Sequence, residues 1–258
     1  MEATDGLPPG VAVELTQLRS DVAERHMQVR VRNGTDVSIE VEHVVVADSR
    51  FTRPAQPVLD RSTTIGPGRT VALPVRLGPV ACAAHATVDA RVTLRYRHGA
   101  SAREATVAAR EDFAFLADLH ARECLAETVA ASAVLTLGPF TPAPPGEPAT
   151  LVLEIAPRAG RDTAPHILAI RETNLLSYRQ PDAAATTYRL DLTAGVPASV
   201  ALPLVPARCD PHAVQEDKRG TVFTLDVEVD GTAGTIQIAA SPDLRADILT
   251  WVTAWCRG

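Results

Sequence analysis

Apolar and polar residues alternate along much of this chain with a period of two. VAVELTQL (11–18) and HMQVRVRNGT (26–35) place apolar side chains at every second position, as half-buried strands do. Asn33-Gly34 ends the second run with a turn signal. β-Branched residues crowd VSIEVEHVVVAD (37–48), which reads as a third strand. TTIGPGRTVALPVRL (63–77) is broken by a Gly-Pro-Gly turn, and ARVTLRYRHG (90–99) and AREATVAAR (102–110) add two more strands. The period then changes. In DFAFLADLHAREC (112–124), Phe115, Leu116 and Leu119 have helical spacing, which predicts a short helix.

The same succession then repeats. ETVAASAVLTLG (127–138) reads as a first strand and PAPPGEP as a loop, and ATLVLEIAPRAG (149–160) matches HMQVRVRNG, with Gly160 standing where Gly34 stands. APHILAIRETNLLSYR (164–179) matches the third strand and its continuation. The string VALP occurs in both halves, at 71–74 and 200–203. GTVFTLDVEVDG (220–231) and GTIQIAAS (234–241) match the paired late strands, and DLRADILTWVTAWC (243–256) matches the helix, with Ile248, Val252 and Trp255 on one face. So many ordered matches imply an internal duplication. The boundary falls near Ala126: residues 1–10 read as a flexible tether, 11–126 as the first copy and 127–258 as the second. Each copy holds about seven short strands and a terminal helix, a count that fits a Greek-key sandwich. The expected fold is therefore all-β: two tandem immunoglobulin-like β-sandwich domains, each ending in a short helix, without the Cys-Trp-Cys signature of antibody domains.

The cysteines sharpen this picture. There are four, two per copy at equivalent places: one after the VALP strand, one at the end of the helix. The first of each pair begins a Cys-x-x-His, Cys82/His85 and Cys209/His212. Three chemistries compete. Disulfides Cys82–Cys124 and Cys209–Cys256 fit the even count and the pairing of a loop with a chain end, and loops of that length would stabilise by roughly 4 kcal/mol on the chain-entropy model. Zinc fits the first copy, where Cys82, His85, His120 and Cys124 form a four-ligand set. The second copy has Val252 where the first has His120. It keeps three candidate ligands and would need Asp210 or Glu216 beside a catalytic metal. A cysteine nucleophile activated by its histidine is the third reading, but no third member or oxyanion loop accompanies it. The disulfide reading leads, and with it no metal or cofactor. His85 and His212 then bond nearby backbone, and His26, His43, His98 and His166 are isolated surface or satisfied residues.

Two stretches are candidate partner contacts. RETNLLSYRQ (171–180) offers Leu175 and Tyr178 in a polar setting, either an exposed contact or the edge of a strand. QEDKRG (215–220) is the densest charge cluster, with Glu216, Lys218 and Arg219, either a recognition loop or a solvated turn. In the terminal helix, Trp255 is expected in the core and Trp251 at the surface, where a sugar-stacking role is the weaker alternative.

Composition bounds the rest. Apolar residues make up 46 % and aromatics 4 %, so the cores rest on aliphatic side chains. Lys218 is the only lysine among 25 Lys and Arg, which reads as codon bias of a GC-rich, actinobacterial-type genome. A net charge of −6 argues against a nucleic-acid partner. No apolar run reaches transmembrane length. MEATDGLPPG lacks the basic start and apolar stretch of a signal peptide. Either the protein is cytoplasmic, or the chain starts after a removed leader with Met1 supplied for expression. No G-x-S-x-G, H-E-x-x-H, P-loop or dinucleotide fingerprint occurs. The leading expectation is a non-catalytic, extracytoplasmic interaction or scaffold module of the cell envelope, secreted or lipid-anchored, binding a protein partner. The alternatives are a zinc protein or zinc enzyme, and a cytoplasmic accessory subunit with reduced cysteines.

Overall fold

A computed structural model describes residues 6–18, 20–22, 24–82, 90–111, 115–159, 164–182, 184–210 and 220–257. The chain divides into two compact units, Met1–Cys124 and Leu125–Gly258.

Unit 1 contains β1 (Val11–Thr16), β2 (His26–Asn33), β3 (Ile39–Ala47), β4 (Gln56–Pro57), β5 (Thr63–Ile65), β6 (Thr70–Arg76), β7 (Arg91–His98), β8 (Ser101–Ala108) and β9 (Arg110–Glu111). They form two sheets, ordered β4-β6-β2-β1-β9 and β5-β3-β7-β8. Unit 2 contains β10 (Ala133–Thr141), β11 (Ala149–Pro157), β12 (His166–Arg171), β13 (Leu176–Tyr178), β14 (Thr187–Thr193), β15 (Ala198–Pro206), β16 (Val222–Val229) and β17 (Thr232–Ala239). Its sheets are ordered β10-β11-β15-β13 and β14-β12-β16-β17. Renumbered within each unit, the two orders are identical except for β9, which adds a short parallel pairing to β1. The duplication thus extends from residue pattern to topology, and the fold is an all-β sandwich with short helices.

Alternation produces the sandwich directly. In β2 and β7, Val29, Val31, Val92, Leu94 and Tyr96 are buried while the arginines between them face water. The inward residues of both sheets meet in one core per unit. Turns obey local chemistry. Asp230 and Gly231 both have positive φ (51° and 75°), as a two-residue type I′ hairpin requires between β16 and β17. Gly34 donates its N–H to Gly10 O at 2.9 Å, and a Cβ at Gly34 would collide with that carbonyl. Residues 6–10 are not a free tether: Leu7 packs against the unit 1 core and Gly10 holds this bond. The rest of the expected tether lies outside the described residues.

Two helices stand among the described residues, α1 (Phe115–Ser132) and α2 (Pro242–Trp255). The Glu111 side chain accepts from the Leu116 N–H at 3.2 Å and so satisfies an orphan donor at the start of α1. Ser241 caps α2 by accepting from the Leu244 N–H at 3.2 Å, and Pro242 follows in the first turn. The strand expected over 127–138 is corrected: residues 127–132 continue α1 and β10 begins at Ala133. ETVAAS contains neither Gly nor Pro, and its alanines are the best helix formers. The count of about seven strands per copy is also low, because β4 is two residues long and β14 lies at a sheet edge, where alternation is weakly enforced.

Candidate functional site

In both units the terminal helix meets the loop between the first two strands, and a disulfide ties the same helix to the segment that follows β6 in unit 1 and β15 in unit 2. Cys82 is bonded to Cys124 and Cys209 to Cys256, each pair with Cα atoms 5.3 Å apart. With their sulfurs joined, neither Cys82 nor Cys124 is a thiolate ligand, which removes the four-ligand zinc set. No group of three or more metal-ligating side chains occurs among the described residues. His85 and His212 lie outside the described residues, as does Gly160.

Counting back from the second cysteine aligns the two helices. Leu116 and Ile248 are both fully buried. Leu119 and Trp251 follow, then His120 and Val252, then Glu123 and Trp255. The fold thus presents four equivalent positions, and three of them differ in chemistry.

In unit 1 the loop is fastened by charge. The Arg25 guanidinium pairs with Glu123 of α1 and donates to Gly78 O at 2.6 Å. Asp21, itself buried, accepts from the Leu18 N–H at 3.1 Å and from Gln28 Nε2 at 3.0 Å. Nearby, Arg50 is only 2 % exposed and donates to Asp48 and to Glu111, each at 2.6 Å. Its pKa is held above the already high arginine range, chiefly by the Asp48 hydrogen bond. Glu111, which caps α1, therefore also joins the helix start to the end of β3.

In unit 2 the loop is fastened by indoles. Trp251 Nε1 donates to Ala143 O at 2.9 Å and Trp255 Nε1 to Glu147 O at 3.2 Å. Both carbonyls belong to the proline-rich loop after β10. Phe140 meets Trp251 edge-on, with ring centroids 5.6 Å apart and planes at 68°, a favourable quadrupole arrangement. The ring bodies and the loop enclose an open groove of about 550 Å³, lined by Phe140, Pro142, Pro145, Asp247, Trp251 and Trp255 among others. That volume suits a side chain or a small ligand. Because the indole N–H groups are spent on loop carbonyls, the groove offers ring faces and prolines, with Asp247 and Thr250 as its polar side chains. In unit 1, a cavity of about 90 Å³ lies beside His43 and an open one of about 350 Å³ beside Arg53 and Arg91.

The predicted contact residues fare differently. Leu175 (1 % exposed) and Tyr178 (4 %) are core residues, not partner contacts. Thr173 turns the chain so that both point inward, its hydroxyl accepting from the Leu175 and Leu176 N–H groups and donating to Gly220 O at 2.9 Å. Burial, helped by the Glu172 carboxylate, pushes the Tyr178 phenol well above its usual range. Glu216, Lys218 and Arg219 lie outside the described residues. The tryptophans exchange their expected places: Trp251 is buried and Trp255 is partly exposed. Residue types alone did not reveal the groove. Its visible signal was a proline cluster after Phe140 and two tryptophans one helical turn apart, separated in sequence by about a hundred residues.

No helix among the described residues is long and apolar enough to cross a membrane. Two disulfides point to an oxidising folding environment.

No family model matches the chain. No curated protein sequence matches it either. Among solved structures, a red sea bream transglutaminase aligns at 11 % identity and TM-score 0.26, covering 90 % of this chain and 31 % of its own. The chain thus spans about a third of that protein's length. A Pseudomonas aeruginosa CupB2 chaperone aligns at 12 % identity and TM-score 0.22, covering 90 % of this chain and 98 % of its own. Bacillus subtilis Spo0M, a sporulation control protein, aligns at 12 % and 0.23, covering 94 % and 95 %. At these identities and scores the alignments carry no argument about function.

Proposed function

We propose that this chain is a non-catalytic, extracytoplasmic binding and scaffolding protein of two immunoglobulin-like sandwiches, secreted or held at the cell envelope, and that the groove of unit 2 grips a partner protein. The groove carries this reading. It combines a partly exposed Trp255 ring, Phe140 and exposed prolines in one concavity of about 550 Å³, the kind of aromatic anchor pocket that dominates binding energy at interfaces. Its lining has no nucleophile–base pair, which favours recognition over chemistry. Asp247 at the rim of an apolar floor suits a segment with an apolar or proline residue next to an arginine or lysine. The paired disulfides support the extracytoplasmic assignment.

Panning a random peptide library against the full chain tests this, with counter-selection on Trp255→Ala. Enrichment of apolar–basic or proline–basic peptides that bind wild type and lose about tenfold or more in affinity on Trp255→Ala is the expected result, in line with hot-spot losses above about 1.4 kcal/mol. Equal binding of all enriched peptides to both proteins would remove the groove as the recognition surface.

A second surface has its own observation. β8 and β17 each end a sheet. β8 carries Arg103 and Glu104, whereas β17 (TAGTIQIA) carries no charge and no proline. An uncharged edge strand is a template for strand addition. Gln237→Glu should abolish any partner pairing there.

A further inference from the structure

The two disulfides are alike in placement, and among the described residues one neighbour sets them apart. In both, the first cysteine is exposed and the second, within α1 in unit 1 and at the end of α2 in unit 2, is partly buried. In unit 2 the residue four before the second cysteine is Val252, fully buried in the core. In unit 1 it is His120, whose Nε2 stands 3.5 Å from Cys124 Sγ and 3.4 Å from Ala81 O. The carbonyl can only accept, so the tautomer that makes this bond carries its proton on Nε2, next to the sulfur.

We propose that Cys82–Cys124 is a thiol-exchange site, attacked at Cys82 with His120 stabilising the departing Cys124 thiolate, an assistance that Val252 cannot give at Cys209–Cys256. The co-reactant is a dithiol, either a small molecule or a Cys-x-x-Cys oxidoreductase of the same compartment. Its thiolate attacks exposed Cys82 Sγ, forming a mixed disulfide. The Cys82–Cys124 bond breaks and its electron pair goes to Cys124 Sγ, where the Nε2 proton of His120 is positioned to receive the charge. The dithiol's second thiolate then attacks its own sulfur in the mixed disulfide and releases Cys82 as thiolate. Two electrons have passed to the protein, and the dithiol leaves oxidised. Exchange is faster when the leaving thiol is more acidic, and a neighbouring imidazolium makes it so.

Among the described residues, the charged groups on the elements that meet here include Asp118, Arg122 and Glu123 on α1, Arg25 before β2, and Arg50 with Asp48 and Glu111. Arg25 is paired with Glu123, and Arg50 with both of its carboxylates. Among side chains, imidazole is the one whose ordinary charge change falls between pH 5 and 8. The two disulfides of one molecule see the same reagent, so the ratio of their rates cancels the reagent's own ionisation.

The experiment is limited reduction of the full chain with dithiothreitol between pH 6 and 8, acid quench, alkylation and peptide mapping. Cys82–Cys124 should open first, and its rate relative to Cys209–Cys256 should fall as pH rises. His120→Ala and His120→Gln should each lower that relative rate by roughly threefold, a Brønsted effect of about one pKa unit on the leaving thiol, and flatten its pH dependence. A wild-type ratio near one and flat across the range would overturn the proposal, whatever the variants do. So would an unchanged pH profile in His120→Gln.

Discussion

At the junction of terminal helix and first loop, the two units hold the same place in one topology and fasten it by opposite means. Unit 1 uses ions: Arg25 with Glu123, and Arg50 with Asp48 and Glu111. Unit 2 uses indole N–H groups on loop carbonyls and a hydroxyl, Thr173, at the turn that in unit 1 is tied by Arg50. The difference shows why one copy presents a groove. An ion pair satisfies itself and leaves the surface polar. A tryptophan satisfies only its N–H and leaves an apolar ring face that a partner can cover.

The contrast is broken most severely at Arg50. Arg50→Ala strands the nearly buried Asp48 and Glu111 carboxylates, and we expect unit 1 to lose about 3–5 kcal/mol. Hydrogen exchange read by mass spectrometry should show faster exchange at Val92 and Leu94 and unchanged protection at Leu225. A loss below about 1 kcal/mol would mean that charge does not fasten unit 1. Trp251→Ala is the counterpart in unit 2. It removes a 4 % exposed ring and its bond to Ala143, and should cost about 3–4 kcal/mol, with the protection pattern reversed.

A smaller effect follows from Tyr178. Its folded pKa is raised, mainly by burial and further by Glu172, so the folded state keeps a proton that the unfolded chain releases above about pH 10. The stability this represents is intact below that pH and is lost as pH rises beyond it, at up to about 1.4 kcal/mol per pH unit. Both tryptophans lie in unit 2, so urea melts followed by tryptophan emission read that unit alone. Tyr178→Phe should remove the alkaline slope. Glu123→Gln should have the smallest effect. Its ion pair with Arg25 is partly exposed, so unit 1 should lose about 0.5 kcal/mol at low salt and almost nothing at 1 M. An equal loss at both salts would show that packing of the Arg25 stem, not charge, fastens the loop.

Alternation and repetition carried much of the fold in the sequence, because a period of two and a second copy of the same order are local signals. The disulfide pairing was legible for the same reason, since Cys82 and Cys209 stand at one place in the repeat. What escaped depended on distant neighbours. Leu175 and Tyr178 sit among polar residues, and only the turn at Thr173 sends them inward. Nothing in ETVAAS stops a helix, so α1 runs on to Ser132. Trp251 and Trp255 are one turn apart, and which one is buried depends on the loop at Ala143 and Glu147, 108 residues away from each. The groove exists only through that contact.

Under tension, each disulfide becomes a limit on length. The Cys82–Cys124 bridge spans 42 residues and Cys209–Cys256 spans 47. At a maximum of about 3.6 Å per residue, each crosslink withholds roughly 150–170 Å of contour from a pulled chain, even after its unit has unfolded. A filament or surface tether built from this protein would therefore yield in short steps while oxidised and in much longer ones once reduced. Oxidation state would set how far it gives before it breaks.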